Sequence, residues 1–276
     1  MTVSCALEWA CALLKPCEFI TRARLEAEIL LSDLLQCERI YLHTHDSEEL
    51  LARDSREFTK RVERRAQGVP IEYITQKVSF YSHTFHIESG VLIPRPETEI
   101  LVERASQIIA ANKARRVAEV GIGSGIISCS LAMLHKEVQF CASDISPKAL
   151  EVARKNIEHF GLSSRIELFC ASLLSPLHGS FDLLVSNPPY IAHKTPLPKP
   201  LAYEPPEALF GGNRGSEILE MLITQAQERA IPVLIAEMGY DQKEAIAEFL
   251  SRGKYKKLEF YEDLAGLPRG FVVEFF

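Results

Sequence analysis

The spacing of apolar positions changes character twice along the chain. In the first 70 residues the apolar positions recur at helical spacing: Leu25, Ile29, Leu30, Leu34 and Leu35 mark one face of a helix, with Thr21 a candidate N-cap. Ser47, followed by Leu50 and Leu51, predicts a second helix that ends in Arg64-Arg65 before Gly68. Stripes this short predict a small bundle. After Gly68-Val69-Pro70, aromatic and β-branched residues cluster at 73–78, 80–81 and 84–87, which predicts a small hairpin-like β-element. Ile93-Pro94-Arg95-Pro96 reads as a stiff connector, and Glu97-Thr98-Glu99 opens a helix.

From Arg116 onward short apolar runs alternate with helical periods. Strands are predicted at 117–120, 138–142, 166–170, 181–186, 233–237, 255–261 and 271–276. Helices are predicted at 125–134 and 147–159, from Gly215 to about Arg229, and up to Leu250. Such alternation implies an α/β fold, a parallel sheet covered by helices. The expected boundaries are a helical domain at 1–70, a linking β-hairpin at 71–93 and an α/β domain at 94–276. The proline-rich loop 192–206 is expected to be an ordered rim or lid.

Candidate chemistry collects where strands end. Phe181-Asp182-Leu183-Leu184-Val185 runs into Asn187-Pro188-Pro189-Tyr190. The prolines have fixed φ and no N–H, and Asn187 is held extended by the proline after it. The Asn187 side-chain oxygen and the Pro188 carbonyl are acceptors, able together to hold both hydrogens of one NH2 group. Tyr190 can cover the face of a planar group. By itself the stretch could also be a rigid turn with a capping asparagine. Upstream, Glu119-Val120-Gly121-Ile122-Gly123-Ser124-Gly125 follows the first strand of the α/β part and opens a helix. Its glycines allow a tight turn and close approach of a ligand. A dinucleotide fingerprint would place the third glycine at 126, where Ile stands, which argues against a pyrophosphate cofactor. Asp144 ends the next strand, where an acid can grip ribose hydroxyls. Ser146 and Pro147 supply an N-cap and a first helical proline.

Composition narrows the function. The chain has 276 residues, 47% hydrophobic and 25% charged, with a formal net charge of −6. That balance disfavours a sequence-blind nucleic-acid binder. No stretch is apolar enough to span a membrane and no secretory signal is visible, so a cytoplasmic protein is expected. The seven cysteines have no zinc spacing and are expected to be reduced and mostly buried; no metal is expected. His43 and His45 lie close together without a cysteine or carboxylate at ligand spacing.

A glycine loop, a ribose acid and Asn-Pro-Pro-Tyr on successive strand ends resemble the class I methyltransferases that use S-adenosylmethionine. Further stretches narrow the resemblance: 68–74 (GVPIEYI), 92–99 (LIPRPETE), Tyr203-Glu204-Pro205 with Ala208-Leu209, and Gly211-Gly212. Together they resemble the peptide chain release factor glutamine N5-methyltransferases, over nearly the whole chain. The resemblance implies an α/β fold of the class I methyltransferase type, with a Rossmann-like seven-stranded sheet, an N-terminal helical bundle that recognises substrate and a linking hairpin. It implies methyl transfer from S-adenosyl-L-methionine, leaving S-adenosyl-L-homocysteine, to the glutamine of a Gly-Gly-Gln motif in class I release factors. By motif match Gly121, Ile122, Gly123, Ser124 and Gly125 would cradle the methionine part, Asp144 the ribose, and Ser172 and Leu173 the adenine. Asn187 would bind the glutamine amide, with Pro188, Pro189 and Tyr190 shaping its slot, and Asn187, Pro188 and Tyr190 would form the catalytic set. Arg95, Pro96 and Thr98 would line the cofactor side. Glu119 stands where aspartate is usual, Ser172 where an acid is common, and Gln76 where glycine is frequent.

Other readings use the same motifs. Asn-Pro-Pro-Tyr suits an exocyclic base amine as well as an amide, so an amino-methyltransferase of DNA or RNA is an alternative. A glutamine methyltransferase of a ribosomal protein is another. A third is a binding module built on the fold, which would not need the full motif set. A monomer with a protein substrate, and no direct nucleic-acid partner, is the expectation.

Overall fold

The computed structural model describes residues 1–175 and 177–276. These form two compact units, Met1–Lys77 with Leu197–Tyr203, and Val78–Pro196 with Glu204–Phe276. The first unit holds α1 (Val3–Leu14), α2 (Ala23–Leu35), α3 (Arg39–Thr44), α4 (Ala52–Gln67) and α5 (Ile71–Thr75). Its core is Leu7, Leu14, Leu30, Leu31, Leu42, Phe58 and Val62 with their neighbours.

Three local expectations differ. α2 begins after Arg22, with no side-chain cap, rather than on Thr21. α4 begins at Ala52 rather than at Ser47, because residues 46–50 serve the start of α1. Val3 N–H bonds Glu48 O, Ser4 N–H bonds Asp46 O, and Leu50 N–H bonds Met1 O. Residues 71–75 are helical rather than extended. The turn is opened by Pro70, whose carbonyl accepts from Tyr73 and Ile74, and is stopped by Gln76 at φ 57. That left-handed conformation is the one glycine adopts without strain. Within this unit Leu197–Tyr203 is pinned by a bond from Tyr203 OH to Gln67 O (3.1 Å) and by Lys199 Nζ over the Phe19 ring (5.3 Å).

The hairpin strands β1 (Lys77–Phe80), whose first residue closes the first unit, and β2 (His83–His86) open the second unit, and α6 (Thr98–Asn112) follows. The alternating part follows: β3 (Arg116–Val120), α7 (Ile126–Leu134), β4 (Gln139–Asp144), α8 (Pro147–His159), β5 (Ile166–Cys170) and β6 (Leu183–Ser186). Two short strands, β7 (Ile191–Ala192) and β8 (Phe210–Gly212), pair with each other, flanking a loop with 3-10 turns at Lys199–Tyr203 and Pro206–Ala208. The chain ends with α9 (Glu217–Glu228), β9 (Val233–Glu237), α10 (Lys243–Ser251), β10 (Lys257–Glu262) and β11 (Pro268–Glu274).

Seven strands form one sheet in the order β10-β11-β9-β6-β3-β4-β5, with β11 antiparallel to both neighbours and the other pairings parallel. Side chains alternate faces along each strand. Val117, Leu183, Val185 and Ile235 pack against α6, α7 and α8; Ala118, Val120, Leu184 and Leu234 pack against α9 and α10. The chain runs outward through β3, β4 and β5, then returns to β6 on the other side of β3. That reversal leaves a crevice at the C-terminal ends of β3 and β6, the place where open α/β sheets bind ligands. The cysteines are free: Cys129 and Cys141 are buried, Cys5 and Cys170 are exposed and the other three are half-buried. The mostly buried set is therefore not what forms, since Cys5 faces outward from α1 and Cys170 ends a strand at the sheet's edge.

Candidate active site

The loop after β3 turns on three glycines in the left-handed region, Gly121 (φ 73), Gly123 (φ 56) and Gly125 (φ 85). The Ser143 carbonyl at the end of β4 holds it by accepting from Gly121 N–H (2.8 Å) and Ile122 N–H (3.1 Å). Asp144 Oδ2 accepts from Gly123 N–H at 2.9 Å, and Oδ1 from Ser146 N–H at 2.9 Å. Each carboxylate oxygen keeps a further lone pair for a ligand hydroxyl. Burial, opposed by these backbone bonds, raises the Asp144 pKa above the usual aspartate range.

A cavity of about 280 Å³ opens over this loop. Gly121, Gly123, Asp144, Ser172, Leu173, Asn187, Pro188 and Pro189 line it, so the residues singled out on three separate strand ends converge there. Leu173 holds a left-handed φ of 53, and its carbonyl accepts from Ser143 Oγ at 2.6 Å. Backbone strain of this kind is often concentrated at functional sites. The other walls come from residues 90–92, Pro205, Glu207, Ala208, Phe210 and Ile218. Two carboxylates, Asp144 and Glu207, and no basic side chain face the cavity among the described residues. That charge balance favours a cation and disfavours a phosphate. A wider depression of about 710 Å³ lies at the opposite, N-terminal ends of β3, β4 and β5, and no motif residue reaches it.

Several expected residues lie elsewhere. The Ile122 side chain is in the hydrophobic core. Ser124 is buried, and its carbonyl accepts from Asn156 Nδ2 at 2.8 Å. A Cβ on Gly125 would meet Ala153 at 3.4 Å, so this glycine lets α7 start against α8. Arg95, Pro96 and Thr98 do not line the cavity. Arg95 instead pairs with Glu204 (2.5 Å), which also accepts from Ile93 N–H (3.0 Å). Thr98 is buried behind Asn187.

The Asn-Pro-Pro-Tyr turn is held at many points. Ser186 Oγ donates to Val120 O (2.7 Å). Asn187 Nδ2 donates to Thr98 Oγ1 (3.1 Å), Thr98 Oγ1 to Glu237 Oε2 (2.8 Å), and Tyr190 OH to Glu237 Oε1 (3.0 Å). Tyr190 packs its ring on the core of the α9 and α10 side, outside the cavity wall. Its carbonyl accepts from Gln242 Nε2 (2.9 Å). Gly211 faces the turn so closely that a Cβ there would lie 2.3 Å from Pro189 O. Asn187 Oδ1 and the Pro188 carbonyl receive no hydrogen bond among the described residues.

Comparison with known proteins places this geometry in a family. A model of the PrmC N-terminal domain matches residues 6–75, and one of the methyltransferase small domain matches residues 96–199. The release factor glutamine methyltransferase of Koribacter versatilis is 36% identical over 254 residues, covering 89% of each chain. That of Moorella thermoacetica is 36% identical over 259 residues, covering 92% of each. The chain belongs to the release factor glutamine methyltransferase family.

Solved methyltransferase structures share the fold at low identity. The hMettl16 catalytic domain in complex with a MAT2A 3′UTR hairpin has a TM-score of 0.59 at 16% identity over 82% of each chain. The N-terminal domain of human METTL16 in complex with SAH has a TM-score of 0.53 at 16% identity, over 91% of this chain and 94% of that one. Against this family background, residues that sequence reasoning missed stand out. Glu237 ends an apolar strand as Asp144 does, and that was the available signal. Glu204 lies inside the Tyr203-Glu204-Pro205 stretch. Glu207, Gln242 and Asn156 have no local signature. No helix among the described residues is long and apolar enough to cross a membrane, and no group of His, Cys, Asp or Glu among them could hold a metal ion.

Proposed function

We propose that this protein transfers a methyl group from S-adenosylmethionine to the side-chain amide nitrogen of the glutamine in the Gly-Gly-Gln motif of class I release factors. It acts as a cytoplasmic monomer, and the helical part at 1–70 recognises the protein substrate. The observation that carries the reading is the pair of acceptors, Asn187 Oδ1 and Pro188 O, unengaged among the described residues, at the wall of a cavity that also contains Asp144. S-adenosylmethionine, when bound, supplies an electrophilic methyl on a sulfonium. The cavity suits it: among the described residues two carboxylates and no cation face a positively charged ligand, and Gly121 and Gly123 present no side chain to it.

An amide nitrogen is a weak nucleophile because its lone pair is delocalised. Asn187 Oδ1 and Pro188 O take its two N–H bonds and aim it into the cavity. Orientation of this kind can lower a barrier by up to about 7–11 kcal/mol. The same oxygens favour the positive charge that grows on nitrogen, and that charge is discharged when one of the two N–H protons leaves to water. Asp144 holds ribose hydroxyls, the glycine loop holds the methionine part, and Ser172 and Leu173 border the adenine. Pro188 and Pro189 keep the turn rigid, and Tyr190 fixes its far end.

The test is mass analysis of unmodified release factor incubated with the protein and S-adenosylmethionine, beside ribosomal proteins and DNA. One methyl on the Gly-Gly-Gln glutamine is expected, with Asn187→Ala losing most turnover but keeping cofactor affinity. Methylation of a ribosomal-protein glutamine or a base, with none on the release factor, would overturn the substrate.

A further inference from the structure

One buried carboxylate holds both ends of the Asn-Pro-Pro-Tyr turn. Glu237 Oε1 takes the Tyr190 hydroxyl, while Oε2 takes the Thr98 hydroxyl, which in turn accepts from Asn187 Nδ2. Thr98 and Glu237 are each 1% exposed, so water does not take the place of either of these two. A carboxylate accepts, and a threonine hydroxyl has one proton to give. Burial raises the Glu237 pKa, while the hydroxyls of Thr98 and Tyr190 and the nearby Arg269 favour its ionised form. With Glu237 ionised and the threonine proton committed to it, Thr98 offers Asn187 only lone pairs. Only the NH2 end of the Asn187 amide can face them, and Oδ1 is turned the other way. The two ends of a primary amide have nearly the same shape, so packing alone would not choose between them.

We propose that Glu237 and Thr98 are positioning residues that fix which end of Asn187 faces the acceptor site, and thereby select an amide over a carboxylate there. The inference rests on the reading above, in which Asn187 Oδ1 receives an amide N–H. Neither residue touches substrate or cofactor in this scheme. Thr98→Val removes the hydroxyl at almost constant shape. Glu237→Gln lets an NH2 face Thr98, which frees the threonine proton for Asn187 Oδ1. In both variants the Asn187 amide is free to turn and to present its NH2 to the site. A glutamine NH2 then meets a donor, whereas a glutamate carboxylate meets one that it can use.

The experiment uses the full chain. For Thr98→Val and Glu237→Gln, kcat on release factor should fall roughly 100-fold, the size of a lost transition-state hydrogen bond. The cofactor KM should stay within about twofold, because the uniform binding of cofactor is untouched. Thr98→Ser should restore kcat. The second readout is binding, with S-adenosylhomocysteine present, of release factor carrying either the native glutamine or glutamate at the acceptor position. The wild type should favour glutamine, and both impaired variants should narrow that preference by about fivefold or more, a modest polar-group discrimination. An unchanged preference in both, or a Thr98→Ser variant as impaired as Thr98→Val, would overturn the proposal. Parallel loss of cofactor affinity, melting temperature and kcat would also overturn it, since a scaffold defect moves all three. If the wild type leaves the glutamine unmethylated, the functional reading itself has failed, and this appears before any variant is made.

Discussion

Ser128 gives Glu119 Oε2 two donors, its backbone N–H (3.0 Å) and its hydroxyl, and leaves the buried Oε1 with no partner among the described residues. Strand alternation points this side chain at α7 rather than at the cavity. Burial raises its pKa from the ordinary glutamate value of 4.5 to about 8, the Ser128 bonds opposing and nearby Asp144 adding to the rise. Between those two pH values the folded protein keeps a proton that the unfolded chain has released. The stability attached to Glu119 is complete below pH 4.5 and is lost as the pH rises toward about 8. Glu119→Gln keeps the size and an acceptor for Ser128 but does not titrate. The wild type and Glu119→Gln should therefore unfold alike near pH 5 after a constant offset. By pH 8 the wild type should have lost on the order of 2–4 kcal/mol relative to the variant. Urea unfolding at several pH values measures this, and parallel curves for the two proteins would show that Glu119 does not hold the extra proton.

At the scale of elements, α8 ties the hairpin to the glycine loop. Asn156, 1% exposed, accepts from His86 N–H (2.7 Å) and donates to His86 O (2.9 Å) and Ser124 O (2.8 Å). Beside it Glu88 meets His86, Lys148 and Lys155, whose bonds outweigh its burial and lower its pKa to about 2. Residues 90–92, which wall the cavity, follow directly. Asn156→Ala would strip partners from three backbone groups. A loss of about 2–4 kcal/mol is expected, together with weaker S-adenosylhomocysteine binding. Denaturant melts and calorimetry check the two effects, and a destabilised variant with unchanged affinity would mean that the amide holds the fold but not the loop. Asn156 also shows what a chain can reveal when read along its length. α8 was predicted at its observed bounds because Ser146, Pro147 and an apolar stripe act locally. The role of Asn156 depends on residues far away in sequence, and nothing beside it marks them. For the same reason Asp144 and Asn187 could be found, each ending an apolar run beside a second motif, while Glu237 ends such a run with none. The strand expected from residue 73 begins only at Lys77, because the aromatic and β-branched residues of 73–75 suit a strand and a helix equally well. Pro70 and the burial of Ile74 in the bundle decide for helix.

The molecule as a whole has hydrophobic cores that follow its two units. Buried residues from Val3 to Ile74 form one cluster, and the two clusters flanking the seven-stranded sheet draw only on the second unit. Every residue lining the 280 Å³ cavity also belongs to the second unit. A ligand stabilises the structure it binds in proportion to its differential affinity for that folded form, and cooperative units that share no core open separately. Cofactor should therefore protect only part of the chain. In hydrogen exchange with and without S-adenosylhomocysteine, slowed exchange is expected at 90–92, 121–125, 144–146, 171–173 and 205–208, and in the strands leading to them. Amides of α1, α2 and α4 should exchange at the same rate in both samples. The segment Leu197–Tyr203 discriminates best, because it lies between two cavity-lining stretches in sequence yet packs in the helical unit, through Tyr203 OH on Gln67 O. Its exchange should follow α4 and not the cavity. Equal protection of α1, α2, α4 and the sheet would mean that the two units open together, and the cofactor would then stabilise the surface proposed to meet the release factor as strongly as the site that performs the transfer.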